Sequence, residues 1–251
     1  MIRLSVNVNK VATLRNSRGG RAPSVIEAVD VCLAAGAPGI TVHPRADRRH
    51  ITPDDVRAIA RALDGRVPPA EYNIEGDPRP ELLDLVRDVR PNQCTLVPVV
   101  PGEVTSQAGW QPGPQTERMP DLIRQLRAIG VRVSLFVDAT PDPIRWAASV
   151  GADRIELYTE PYARAFERGA DAARRSFEQY ADAARLAHSL GLGVNAGHDL
   201  DLANLVIFRG LPFLDEVSIG HAIISRAVFV GLATVVREYV AVLAAAEGVR
   251  A

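Results

Sequence analysis

Apolar and polar positions along the chain repeat one grammar: an amphipathic segment, a small residue with glycine, then a short run rich in β-formers. It recurs in AAGAPGITVH, AIGVRVSLFVDA, SVGADRIELYTE and SLGLGVNAGHD. Each glycine suits the left-handed position that ends a helix, and each following run is apolar enough to be covered on both faces. The unit is helix, glycine, parallel strand. Extended over the chain, the pattern predicts eight strands: RLSVNV, GITVH, EYNIE, CTLVP, VSLFVD, RIELY, GVNAG and EVSIG. Helical segments lie between them. In TPDDVRAIARALDG, Thr52 can cap, Pro53 suits the first helical position, and Asp54 and Asp55 favour the positive end. Val56, Ile59, Ala60 and Leu63 then form one apolar stripe, and ELLDLVRDV and DLIRQLRAI show similar spacing.

Eight β/α units in 251 residues predict an α/β fold of the TIM (β/α)8 barrel type, a single domain over residues 1–251 with no linker to split it. A doubly wound open sheet is the rival, but no GxGxxG turn follows the first strand. Two connections are long. VPVVPGEVTSQAGWQPGPQTERMP follows the fourth strand, on the face where barrel enzymes act, and reads either as a lid or as a passive surface insertion. After the sixth strand, EPYARAFERGADAARR has room for a short extra helix.

Composition narrows the function. At 47% hydrophobic residues the chain can bury a sizeable core, and a net charge of −1 with 5% aromatics gives no general attraction to nucleic acid or membrane. Any anion must be held by a local cluster. MIRLSVNVNK is neither a signal nor a transit peptide, so the cytoplasm is expected. Cys32 and Cys94 lack ligand spacing and read as small core residues. The apolar stretch from Ala222 to Ala246 is interrupted by Arg226, Arg237 and Glu238, which favours a helix buried on several faces, as against another subunit, over a membrane span. Among 29 basic residues, Lys10 is the only lysine. Either it survives by chance or that position needs an ammonium, which is smaller than guanidinium and can lose its proton.

In a barrel, polar residues at strand C-terminal ends are candidates for chemistry. The predicted ends carry Asn7 and Asn9, His43 and Arg45, Glu75, Asp138, Glu156, Asn195 and His198, and His221. Of five histidines, His43, His50, His198 and His221 fall on that face, and only His188 lies on a helix. A lone strand-end histidine is commonly structural, but several beside Glu75 and Glu156 favour acid/base work. NAGHD and SIGHAIISRA place glycine before helix starts, a cradle for phosphate that includes Ser218 and Gly220. Arg18 on one side, and Arg45, Arg48 and Arg49 on the other, suggest a substrate pair carrying two phosphates. The first strand offers NVN rather than HxH and no HExxH occurs, so no metal is expected.

At these residues the chain resembles the pyridoxine 5'-phosphate synthase family. The resemblance covers nearly the whole chain and rests on VNVNKVATLRNSRG, GITVHPRADRRHI, NIEG, LVPVVPGEVTS, VSLFVDA, GADRIELYTEPYA, VNAGHDL and SIGHAIISRAV, in order. It implies a condensation of 3-amino-2-oxopropyl phosphate with 1-deoxy-D-xylulose 5-phosphate, without an organic cofactor. It implies His43 and Glu75 as bases, His198 as an acid and Glu156 as a transition-state support. Amino-ketone phosphate binding would fall to Asn7, Arg18, Gly220 and His221, and ketose phosphate binding to Arg45, His50 and Thr105. Asn9 and Lys10 stand where many members have an Asp-His pair, and Asp199 where glycine is common; all three are counted with the substrate-binding set. Lys10 could replace a histidine's hydrogen bond, hold phosphate, or form an imine. The resemblance also implies a homo-octamer built from dimers. Two rivals stay open: an aldolase- or epimerase-type barrel using Lys10, and a phosphometabolite-binding barrel without turnover.

Overall fold

The computed structural model describes residues 1–99 and 108–245. Eight parallel strands close into a barrel in chain order: β1 (Arg3–Asn7), β2 (Gly39–Val42), β3 (Glu71–Gly76), β4 (Gln93–Leu96), β5 (Arg132–Val137), β6 (Arg154–Tyr158), β7 (Gly193–Gly197) and β8 (Leu214–Ile219). Closure is by β1 on β8, with Leu4 opposite Val217. The (β/α)8 barrel expected from the repeating grammar is therefore the fold.

Eleven helices occur among the described residues: α1 (Asn9–Asn16), α2 (Val25–Ala34), α3 (Pro53–Leu63), α4 (Pro80–Val89), α5 (Met119–Ala128), α6 (Pro141–Ser149), α7 (Glu160–Glu167), α8 (Ala170–Ser189), α9 (Leu205–Phe208), α10 (His221–Val230) and α11 (Leu232–Ala244). Helix α3 starts as its sequence predicts. Thr52 accepts from the Asp55 N–H, Asp55 answers to the Thr52 backbone, and Pro53 fills the first turn. The extra helix after the sixth strand is α7, ended by Gly169 at φ 114°. Cys32 lies on α2 and Cys94 on β4, both buried and unbridged.

Period-2 alternation splits each strand between two environments. Val6, Ile40, Ile74, Leu135 and Leu157 are fully buried in the apolar core, to which the helices contribute Val29, Ile59, Val86 and Ile144. The lumen is polar instead. Ser5 and Thr41 hydroxyls pair at 2.6 Å, Asn73 donates to Thr41 and accepts from Thr95, and Asn195 reaches both Gln93 and Glu216 at 3.4 Å. Such a lumen excludes a purely apolar filling and gives buried carboxylates polar company. At its lower end, Arg3 and Arg132 both bind Glu71, Arg132 also donates to Gln93, and Arg154 lies 3.3 Å from Asp215.

Three expectations change. The final apolar stretch is two helices, because Gly231 at φ 85° breaks it into α10 and α11. Helix α11 buries Val235, Val236, Tyr239 and Leu243, whereas α10 leaves Val228 and Phe229 72% and 87% exposed. Asp138 does not join the cluster at the barrel mouth; it accepts from the Gly109 N–H at 3.0 Å and from the Gln111 amide at 2.8 Å, pinning the end of the long β4–α5 connection. Asn195 turns down into the lumen, where it accepts from Arg154 at 2.7 Å. Residues 100–107 of the proposed lid, Thr105 among them, lie outside the described residues. No helix among those described is long and apolar enough to cross a membrane.

Candidate active site

Above the C-terminal ends of the strands opens a cavity of about 660 Å³. From β1 and the start of α1 it receives Asn7, Asn9 and Lys10; from the segment after β2, His43, Arg45, Arg49 and His50. Strands β3 and β6 supply Glu75 and Glu156, the β7 end His198 and Asp199, and the β8 end Ser218, Gly220 and His221. Residues separated by more than two hundred positions thus share one mouth. Of the predicted set, Arg18 does not line it: α1 ends at Asn16, and the exposed turn beyond carries Arg18 past the rim. Arg48 also stays outside, at φ 52° in an exposed turn.

Asn9 organises the first wall. Its N–H donates to the Asn7 side chain at 3.0 Å, and its own Oδ1 accepts from the His43 N–H at 2.9 Å, tying the β1 end to the β2 end. Asn16 donates to the His50 carbonyl at 2.8 Å and so holds the segment bearing Arg45 and His50 against α1. Arg45 is buried, with its Nε 3.5 Å from the Asp47 carboxylate. On the adjoining wall, a Cβ at Gly220 would lie 2.8 Å from the Asn7 carbonyl, so only glycine lets β8 and β1 meet there. Helix α10 begins at the next residue without a side-chain cap, leaving its first N–H groups beside the cavity. That is a ready anion cradle.

The floor carries the protons. Glu75 accepts from Ser218 Oγ at 3.4 Å and lies 3.5 Å from Asn7 Nδ2. Burial pushes its carboxyl up to about 8, Ser218 opposing and the nearby Glu216 charge adding to the rise. Glu156 is raised well above the ordinary range by burial and then by Glu75 and Glu216, and its Oε2 has no hydrogen-bond partner among the described residues. A Cβ at Gly197 would come 2.5 Å from the other Glu156 oxygen, which explains the glycine. His43 is pushed down to about 3 by burial, then by the positive charges around it, beginning with His50 and Arg45. His50 falls to about 4 for the same main reason, with Arg45 next. His43 Nε2 and His50 Nδ1 are buried without partners among the described residues. Burial also lowers His198, against the pull of Asp199.

His198 stands between Phe136 and Tyr158, ring centroids 4.9 and 5.7 Å away. Both His198 (φ 78°) and Asp199 (φ 57°) are left-handed. For residues other than glycine this costs on the order of 1–3 kcal/mol each and concentrates at functional sites.

A family model described as "Pyridoxal phosphate biosynthesis protein PdxJ" matches residues 4–245. The chain belongs to the PdxJ family. A relative from Porphyromonas gingivalis named pyridoxine 5'-phosphate synthase is 50% identical over 240 residues, covering 95% of this chain and 98% of that one. One from Xanthomonas campestris pv. campestris with the same name is 51% identical over 249 residues, covering 96% of each. Among solved structures, thiamine phosphate pyrophosphorylase from Pyrococcus furiosus superposes with a TM-score of 0.64 at 14% identity, covering 98% of this chain and 96% of that chain. Phosphoribosyl anthranilate isomerase from Thermus thermophilus gives 0.59 at 18% identity, covering 97% and 99%. At such identities the likeness is one of fold alone.

For a PdxJ member, the arrangement separates two jobs. Cations and a helix start border the mouth, while neutral imidazoles and protonated carboxyls occupy the floor. Among the described residues no group of three or more His, Cys, Asp or Glu is placed to hold a metal ion. Sequence reasoning missed Arg164, Asp201 and Asn204, which also line the cavity. The signal was present: EPYARAFE and DLDLANL directly follow strand ends.

Proposed function

We propose that the chain acts as a pyridoxine 5'-phosphate synthase, condensing 3-amino-2-oxopropyl phosphate with 1-deoxy-D-xylulose 5-phosphate to pyridoxine 5'-phosphate, phosphate and water. The observation that carries the reading is the meeting of His43, Glu75, Glu156 and His198 in one cavity bordered by Lys10, Arg45 and the α10 start. Phosphates held at both sides would fix two reactants and make their encounter intramolecular. The Gly220–His221 side with Asn7 would take the amino-ketone phosphate. Lys10, Arg45 and His50, with Asn9, would take the ketose phosphate, and Thr105 would join them.

The amine attacks the ketone and water leaves to form an imine; phosphate is then lost, and ring closure expels a second water. Every stage moves a proton. A neutral His43 begins as an acceptor. Glu75, its carboxyl near 8, is poised to both accept and return a proton near neutral pH. His198 donates to a leaving oxygen once Asp199 and the incoming phosphates favour its charged form, and Glu156, protonated by burial, can donate a hydrogen bond to developing negative charge. Arg18 lies off this cavity, so its assignment to amino-ketone phosphate requires a route other than the wall described above. Asp199 adds negative charge at the rim and would tune rather than bind the phosphates.

The cytoplasm fits such a biosynthetic role. The exposed Val228 and Phe229 of α10 support a homo-oligomer, an octamer by family resemblance. Mixing the purified protein with both phosphates tests the reading. Pyridoxine 5'-phosphate and free phosphate should appear together, by mass and absorbance; tight binding of both compounds with no product would overturn it.

A further inference from the structure

His198 and Asp199 are consecutive left-handed residues, and neither is glycine. Among the described residues no hydrogen bond is made by the His198 imidazole, which is flanked by the Phe136 and Tyr158 rings. With no hydrogen bond to aim it, its direction depends on its backbone together with those two rings. That backbone is held from behind by two buried polar side chains that carry no charge.

Thr159, fully buried just past β6, donates its N–H to the Gly197 carbonyl at 3.1 Å. Its hydroxyl lies 2.6 Å from the same carbonyl and also reaches the His198 carbonyl. Asn204, 3% exposed, donates from Nδ2 to the Asp199 carbonyl at 2.9 Å. Asn204 is itself fixed: its Oδ1 accepts from the Asp201 N–H at 2.9 Å, and its carbonyl accepts from the buried Tyr162 hydroxyl at 2.8 Å. The carbonyls of three successive residues are thus each gripped by a buried donor.

We propose that Thr159 and Asn204 are positioning residues for the reaction: by gripping the 197–199 carbonyls they hold the left-handed His198–Asp199 turn and aim the imidazole into the cavity. The inference rests on the synthase reading, in which His198 moves a proton. Without the grip, the turn relaxes toward ordinary φ and carries the ring away from the reacting oxygen. A group that acts only by aim should change the chemical step and leave substrate binding alone.

Thr159→Val keeps the shape and removes the hydroxyl. Its kcat should fall about 10- to 100-fold, with KM for both phosphates within about twofold of wild type. Thr159→Ser, which restores the donor, should recover at least half of wild-type kcat. In an Asp199→Gly background the loss caused by Thr159→Val should shrink at least threefold, because glycine holds a left-handed φ unaided. Should Thr159→Val fail to fold, Asn204→Asp carries the test: it keeps the oxygen facing the Asp201 N–H but replaces the donor to the Asp199 carbonyl, and the same kcat loss at unchanged KM is expected. Wild-type kcat in the Val variant, equal losses in Val and Ser, or the same loss with glycine at 199 would each overturn the proposal. Lack of turnover by the wild-type protein would overturn the synthase reading instead.

Discussion

The two ends of this barrel are built from the same strands and carry charge in opposite ways. At the lower end most charges are matched: Glu71 sits between Arg3 and Arg132, and Arg154 between Asn195 and Asp215, while Arg3 Nη2 lies 3.7 Å from Glu216 without a hydrogen bond among the described residues. At the upper end His43 Nε2, His50 Nδ1 and Glu156 Oε2 are buried without hydrogen bonds among the described residues. A buried polar atom left unpaired costs about 1–3 kcal/mol. Stability is served more fully at one end, and at the other three buried polar atoms are left open toward the cavity, as the synthase reading requires. The same distinction separates the two uses of glutamate in β3: Glu71 closes an ion pair and Glu75, two turns of the pleat later, holds a proton.

Substitutions at the two ends should therefore separate activity from stability. After loss of the Glu75 carboxyl, the largest effect is expected for Glu156→Leu, which removes the donated hydrogen bond: a loss of roughly 10²–10³ in kcat with little change in urea midpoint, measured by steady-state turnover and denaturation. Loss of stability without loss of turnover would place Glu156 with the lower end. Next comes Glu71→Gln, which leaves two guanidinium groups short of charge. Unfolding free energy should drop by about 1–3 kcal/mol, with kcat/KM within about threefold of wild type.

A third contrast is in pH. Burial raises Glu75 to about 8, so the folded chain holds a proton that the unfolded chain has released from its ordinary value of 4.5 upward. This contribution is complete below 4.5 and is lost as pH rises through 8. Thermal unfolding of Glu75→Gln should accordingly gain on wild type between pH 5 and pH 8.5. His43, lowered to about 3, works in the other direction: its contribution is present above 6.5 and is lost as pH falls toward 3. His43→Asn should flatten the acid side of the stability profile. The smallest effect is expected at the strained turn, where Asp199→Gly should raise unfolding free energy by about 1 kcal/mol, read by urea denaturation.

Much of this was legible in the residues. RIELY and GVNAG are β6 and β7 to the residue, because glycine marks the preceding helix end and the apolar run is short. The four mouth histidines and both carboxylates follow from one rule about strand ends. That rule gives height along the barrel but not direction: Asn195 pairs with Glu156 in register, yet its side chain serves the lower network. Asp138 shows the same limit, since a carboxylate at a strand end can hold a loop as readily as a substrate. Gly231 was read through because the apolar pattern continues on both sides of it. Thr159 was invisible for a different reason. It works on backbone carbonyls of another strand end, and no spacing in the sequence reports such a contact.

The most direct test of the contrast is Glu75→Gln assayed with both phosphates, alongside calorimetric binding of each. An upper end built for chemistry gives a variant that binds both compounds with near-wild-type affinity and forms no pyridoxine 5'-phosphate. Unchanged turnover would contradict it, because the buried carboxyl would then be one more paired group of the scaffold.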